Sequence, residues 1–187
     1  MTEPSRAEAL ARRHRHAWLL ATLTELIGDC AQAAGEVYRP VAEAPPPQTD
    51  VPVNLGPLVG LRRSAGTRVD AARAQDAARC ATAETEGVSA RADGVPADVG
   101  ADFLTDLLDD PAQAVKRARK LANTGRFTVD QILDEATDSA VLSGLLSLHE
   151  AQRQSDPSTA AARCLAAAGH FALAVSVVLV HVPAATP

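Results

Sequence analysis

From Leu165 to Val182 the chain carries no formal charge, and only Gly169, His170, Ser176 and His181 interrupt a run of apolar residues. A helix that is apolar nearly all round belongs in a core or a membrane, so this segment is expected to be the helix that the rest of the chain covers. Cys164, Ala168, Ala172 and Ser176 recur every four residues within it, a ridge of small side chains that lets another helix approach closely. Arg163, His170 and His181, with the small Ala167 and Ala174, fall on the least apolar side. That side is the one expected to meet solvent.

Helix starts are well marked elsewhere. Ser5-Arg-Ala-Glu8 reads as a capping box opening a first helix to about Val37. Thr67-Arg-Val-Asp70 caps a second helix to about Glu86, and Ala101 to Leu108 predicts a short third one. Asp110-Pro111-Ala-Gln113 combines a cap, a proline at the first helical position and Gln at the third. Thr128-Val-Asp-Gln131 opens a helix to about Gln154, and Asp156-Pro157 starts the last one after a break short enough to make the final pair an antiparallel hairpin. Strand signals are absent. Six prolines and three glycines between Pro40 and Gly66 predict a long loop or arm there.

The chain is therefore expected to form one all-α domain over residues 1–187, a compact helical bundle of about five to six helices, with a Pro/Gly-rich loop at 40–66 and a short tail at 183–187. In the first helix Leu19, Leu23, Leu26, Ile27, Cys30 and Ala34 share a face, and Trp18, Glu25, Asp29, Gln32 and Glu36 lie opposite. The helix after Thr128 reads differently. Val129, Ile132, Leu133, Ala136 and Ala140 make one apolar face, but Leu142, Leu145 and Leu146 lie on the side of Asp134, Glu135 and Asp138. A change of buried side is expected there. Asp138, Leu142, Leu145 and His149 then form a stripe running from surface towards an interior or an oligomer interface.

Composition narrows the functional classes. Alanine is abundant and Arg greatly outnumbers Lys, as in a GC-rich coding genome of the actinobacterial kind. A net charge of −5 with one Trp and one Tyr argues against a nucleic-acid partner. Cys30, Cys80 and Cys164 lie on separate predicted helices with no Cys-x-x-Cys pairing, which reads as reduced thiols in a cytoplasmic protein. The N-terminal stretch lacks the apolar run and cleavage site of a secretion signal, and the apolar C-terminal helix has no basic anchor after it, so no membrane association is expected.

No phosphate loop, dinucleotide turn, nucleophile elbow, zinc spacing or Glu-x-x-His repeat is present, so neither a cofactor nor a metal is expected. Nor does a Trp-x-Gly turn join two helices as in type VII secretion substrates. The candidate catalytic residues are Asp138, His149 and Glu25, acids and bases that a partly apolar pocket could tune. The candidate ligand-binding residues are Trp18, Leu142 and Leu145. Glu135-Ala-Thr-Asp138 resembles the second Glu-x-x-Asp element of the all-α, magnesium-dependent nucleotide pyrophosphohydrolases related to MazG, and Thr24-Glu-Leu-Ile-Gly-Asp29 resembles their first carboxylate helix. The resemblance covers these two short segments and departs in spacing, since Glu25 and Asp29 are four apart and not three. It implies that Glu25, Asp29, Glu135 and Asp138 converge on a magnesium ion.

Three readings follow. One is a cytoplasmic, homo-oligomeric bundle, accessory to specialised metabolism, that binds an apolar small molecule or a protein partner. A second is a cofactor-free cyclase, isomerase or lyase on the same scaffold. The third is the magnesium-dependent pyrophosphohydrolase-like enzyme.

Overall fold

The computed structural model describes residues 16–43, 54–83 and 95–180. Among them are six α-helices and no strand: α1 (Ala17–Glu43), α2 (Gly56–Ala83), α3 (Ala97–Asp109), α4 (Pro111–Ala122), α5 (Val129–Ala151) and α6 (Pro157–Val180). The all-α class is as expected. The capping box at Ser5, the third thiol at Cys80, the residues after Val180 and the middle of the Pro-rich stretch lie outside the described residues or side chains.

Three helix starts obey their local chemistry. Asp110 accepts hydrogen bonds from the Ala112 and Gln113 amides at 3.0 and 3.2 Å, with Pro111 at the first helical position where its missing N–H costs nothing. Thr128 and Gln131 close a reciprocal capping box, Thr128 Oγ1 accepting from the Gln131 amide at 3.1 Å and Gln131 Oε1 from the Thr128 amide at 2.9 Å. Asp156 accepts from the Thr159 amide at 2.7 Å and from its hydroxyl at 2.5 Å. These bonds hold the Asp156 carboxyl below its ordinary range. A depressed folded-state value means stability that is present above the unfolded pKa and lost as pH falls through the folded one. Asp156→Ala is accordingly expected to melt earlier than the wild type at pH 7, the two melting curves converging as pH drops below the usual carboxylate range. A gap that stays constant down to pH 2 would contradict this.

The core has two parts. Leu19, Leu23, Leu26 and Cys30 of α1, Leu58 and Val69 of α2, Leu148 of α5 and Phe171 of α6 form the larger. Phe103 and Leu107 of α3, Ala114 and Ala118 of α4, Ile132 and Leu133 of α5 and Val177 of α6 form the smaller. Helices α5 and α6 make the expected antiparallel hairpin, because Glu150 meets Arg163 at one end and Gly144 faces Phe171 further along. Helix α3 closes on α5 at Gly100, where a Cβ would stand 3.1 Å from the Ala136 amide nitrogen and 2.8 Å from Glu135 Cγ.

Three expectations are corrected. The loop at 40–66 is shorter than its prolines suggested: α1 continues through Pro40 to Glu43, and α2 already begins at Gly56. Helix α1 carries Pro40 in its last turn at the loss of one i→i−4 hydrogen bond, whereas Pro57 occupies a first-turn position where its missing N–H costs nothing. Asn54 Oδ1 accepts from the Gly56 amide at 3.1 Å, and Leu58, Leu61, Ala65, Val69 and Ala72 form a buried stripe at helical spacing. Nor does α5 change its buried side. Ala140, Val141, Gly144, Ser147, Leu148 and Ala151 continue the inward face, while Leu142 and Leu146 stay outside at 57% and 53% exposure. In α6 the side expected to meet solvent is split: Arg163 is exposed and His170 half-buried, but the two alanines of that side turn inward. Ala167 and Ala174 are fully buried, whereas Leu165 and Leu179 are 53% and 52% exposed. The physical reason is the same in both helices. Where the two helix axes come close, a small residue on one faces a large one on the other, as Gly144 faces Phe171, so the fit of the pair and not side-chain size alone sets the inward arc.

Candidate functional site

Sequence reasoning placed candidate chemistry on α1 and α5, and the structure assigns nearly every such carboxylate an arginine. Glu25 and Asp29, one turn apart on α1, are gripped by the two ends of one guanidinium on α2: Arg68 Nη2 to Glu25 Oε2 at 2.7 Å and Nη1 to Asp29 Oδ2 at 2.6 Å. Asp138 of α5 accepts from Arg73 Nη2 at 2.5 Å. The arginines stand five residues apart on α2, so this helix presents its cations to acids on both neighbours. Of the four carboxylates that the pyrophosphohydrolase resemblance requires, Glu25 and Asp29 are thus held by Arg68 and Asp138 by Arg73, while Glu135 lies against Gly100 of α3. Among the described residues no group of three or more His, Cys, Asp or Glu could hold a metal ion.

The Asp138 carboxyl is raised above its ordinary value, first by desolvation against the protein and next, after the opposing pull of Arg73, by the charge of Asp134. Its side chain nevertheless keeps 58% of its surface in water. This is crowding between two helices, not the signature of a dry acid. His149 lies on the same helix eleven residues further on, which at a 1.5 Å rise puts the two about 16 Å apart along the axis. They cannot share a proton. Leu145 is half-buried and packs against the larger core, whereas Leu142 projects outward. Trp18 is 43% exposed, and the Arg79 guanidinium stands over its ring at 5.6 Å. The proposed ligand residues therefore lie on separate surfaces.

Cys164 Sγ donates to the Cys30 carbonyl at 3.2 Å, and both thiols are free and fully buried. Pairing with Cys164 and burial push the Cys30 thiol far up. A thiol so held is a packing group, not a nucleophile.

One polar arrangement was not foreseen. Asp76, only 5% exposed, projects from α2 onto the start of the described part of α1, accepting from the Trp18 amide at 3.0 Å and from the Leu19 amide at 2.9 Å. Its signal in the sequence is positional. Asp76 continues the stripe Leu58, Leu61, Ala65, Val69 and Ala72, and an acid on a buried stripe demands a partner. At the far end of α2 an open depression of about 390 Å³ is lined by Val59, Arg62, Arg63 and Gln152, with Arg62 Nη1 donating to Gln152 Oε1 at 2.9 Å.

No protein-family model, no curated protein and no solved structure matches the chain.

Proposed function

We propose that the chain is a protein-interaction module, an all-helical body whose apolar helix surfaces are covered by a partner protein. The observation that carries this reading is the number of large apolar side chains left at its surface. Leu142, Leu146, Leu165 and Leu179 are each more than half exposed, while Gly144, Ala167 and Ala174 occupy the interior. Leu142 and Leu146 stand one turn apart on α5, and Leu165 and Leu179 stand on α6, which has no charge from Cys164 to Val180; exposed leucines so placed form the kind of surface that association uses. Further support comes from the candidate acids, which are engaged by arginines, and from the interior beside α6, where Gly144 has no room even for a methyl group. The free thiols of Cys30 and Cys164 fit a reducing, cytoplasmic setting.

Two measurements test the reading. Leu142→Glu and Leu146→Glu are expected to unfold within about 0.5 kcal/mol of the wild type in urea, as surface substitutions do. A loss of about 2 kcal/mol would make these leucines part of the fold and remove their role in association. Thermal melts with fatty acids, isoprenoid alcohols and polycyclic aromatics are expected to show no saturable stabilisation. A one-to-one saturable rise in Tm would replace the interaction reading with a ligand-binding one.

A further inference from the structure

We infer that the outer face of the α1–α6 pair is a self-association surface, its occupant a second copy of this chain. The inference rests on the interaction reading and names the partner for its α6 leucines, Leu165 and Leu179. On α1, Glu25 and Asp29 reach towards α2, whereas Cys30 and Ala34 lie against Cys164 of α6. At about 100° per residue, the exposed arc on the α6 side then carries Gly28, Ala31 and Gly35. On α6, Arg163 reaches α5 through Glu150, and Cys164 reaches α1. The exposed arc on the α1 side carries Leu165, Ala172 and Leu179. The two arcs adjoin in one face, two helices wide, whose α6 half carries no formal charge and whose α1 half is edged by Arg39, about 20° from Gly28.

Three properties of that face point to a second copy. The first is area. Helix α6 has 24 residues; at 1.5 Å each, and with neighbouring axes 8–10 Å apart, the face covers about 600–700 Å² per copy, close to the ~800 Å² per partner of a standard-size interface. The second is charge. The chain carries −5 overall, and a face without an acidic side chain, edged by Arg39 beside the Glu25 and Asp29 side, keeps the excess negative charge of two copies out of the contact. The third is approach. Nothing lies within 4 Å of a Cβ built on Gly28, Gly35 or Gly169, so a neighbouring helix can seat directly against the backbone there. A surface of this kind about a two-fold axis is self-complementary and closes at a dimer. Helix α6 is long and apolar enough to cross a membrane, but 39% of its most apolar window is already buried against the protein. Its flank carries Arg163 alone, without the basic residues of an interfacial membrane helix.

The full chain is tested by light scattering after size exclusion, over a dilution series from about 200 µM downward. The expected mass is twice 19.4 kDa at the high end, and Ala172→Glu, helix-compatible and exposed, is expected to give a monomer with an unchanged circular dichroism spectrum. Leu142→Glu on α5 is expected to leave the dimer intact. Should Ala172→Glu fail to fold, Ala172→Cys supplies the second readout: oxidation with copper–phenanthroline is expected to yield a dimer band on a non-reducing gel. A monomer at every concentration, or a dimer that survives Ala172→Glu, would overturn the inference. So would flotation of the wild type with phosphatidylcholine vesicles that Ala172→Glu abolishes, which would assign the face to a membrane. A wild-type monomer whose Leu142→Glu and ligand results are as expected leaves the interaction reading standing with a different partner.

Discussion

Phe171→Ala is expected to lower the unfolding free energy by about 3–5 kcal/mol, the usual cost of emptying a fully buried aromatic site. Phe171 has no exposed surface and lies in the larger core at the crossing of α5 and α6. Its ring fills the space left by Gly144 so closely that a Cβ there would stand 2.5 Å from Cε1, 2.8 Å from Cδ1 and 2.9 Å from Cζ. Against a total stability of about 5–15 kcal/mol for a typical domain, the loss is large. The fit also predicts a reversal of sign. In the wild type Gly144→Ala gains about 1 kcal/mol of helix propensity but forces the ring aside, for a cost of about 1–3 kcal/mol, and is expected to destabilise on balance. In the Phe171→Ala background the obstacle is gone. The same Gly144→Ala change is then expected to stabilise by about 1 kcal/mol. Urea unfolding of the four proteins of this cycle checks it; an equal effect of Gly144→Ala in both backgrounds would mean that Phe171 does not set the α5–α6 distance.

The second large effect is expected at Asp76. Asp76→Ala removes a nearly buried carboxylate that accepts from two backbone amides in the first described turn of α1, at 3.0 and 2.9 Å. Hydrogen bonds to a charged group contribute about 1.5–3 kcal/mol each, and loss of a helix cap costs about 0.5–2 kcal/mol. Part of this overlaps, because both bonds belong to one side chain, so the expected loss is about 2–3 kcal/mol. Asp76→Asn, with one acceptor oxygen and an amide turned towards an N–H, should fall between the alanine variant and the wild type. The emission of Trp18, whose own amide is one of the two donors, should shift well before global unfolding in either variant. An Asp76→Ala protein within about 0.5 kcal/mol of the wild type would show that α1 begins without help from α2.

These sites differ in how far they could be read from the chain alone. The caps at Asp110, Thr128 and Asp156 were legible because donor and acceptor lie within three residues of one another, so local geometry settles the contact. The buried face of α1 was legible for a related reason: its leucines point inward, and size and burial agree. The beginning of α2 was hidden by Pro57 and Gly60, although its stripe of Leu58, Leu61, Ala65 and Val69 was present to be found. Among the candidate site residues, the sequence located Glu25, Asp29 and Asp138 on their helices. It could not supply their partners, since Arg68 is 39 and 43 residues from the acids it binds and Arg73 is 65 from Asp138.

The sequence by itself determined the helical class, the hairpin of the last two helices and three of the helix starts, all consequences of interactions spanning one or two turns. Only the tertiary structure decided which sides of α5 and α6 face inward. A periodicity argument sends the largest apolar residues to the core, but the closeness of α5 and α6 admits only Gly144 against Phe171, and with Ala167 and Ala174 inside it leaves Leu142, Leu146, Leu165 and Leu179 in solvent. The distance between two helix axes is a property of the packed pair. It is written in neither helix alone.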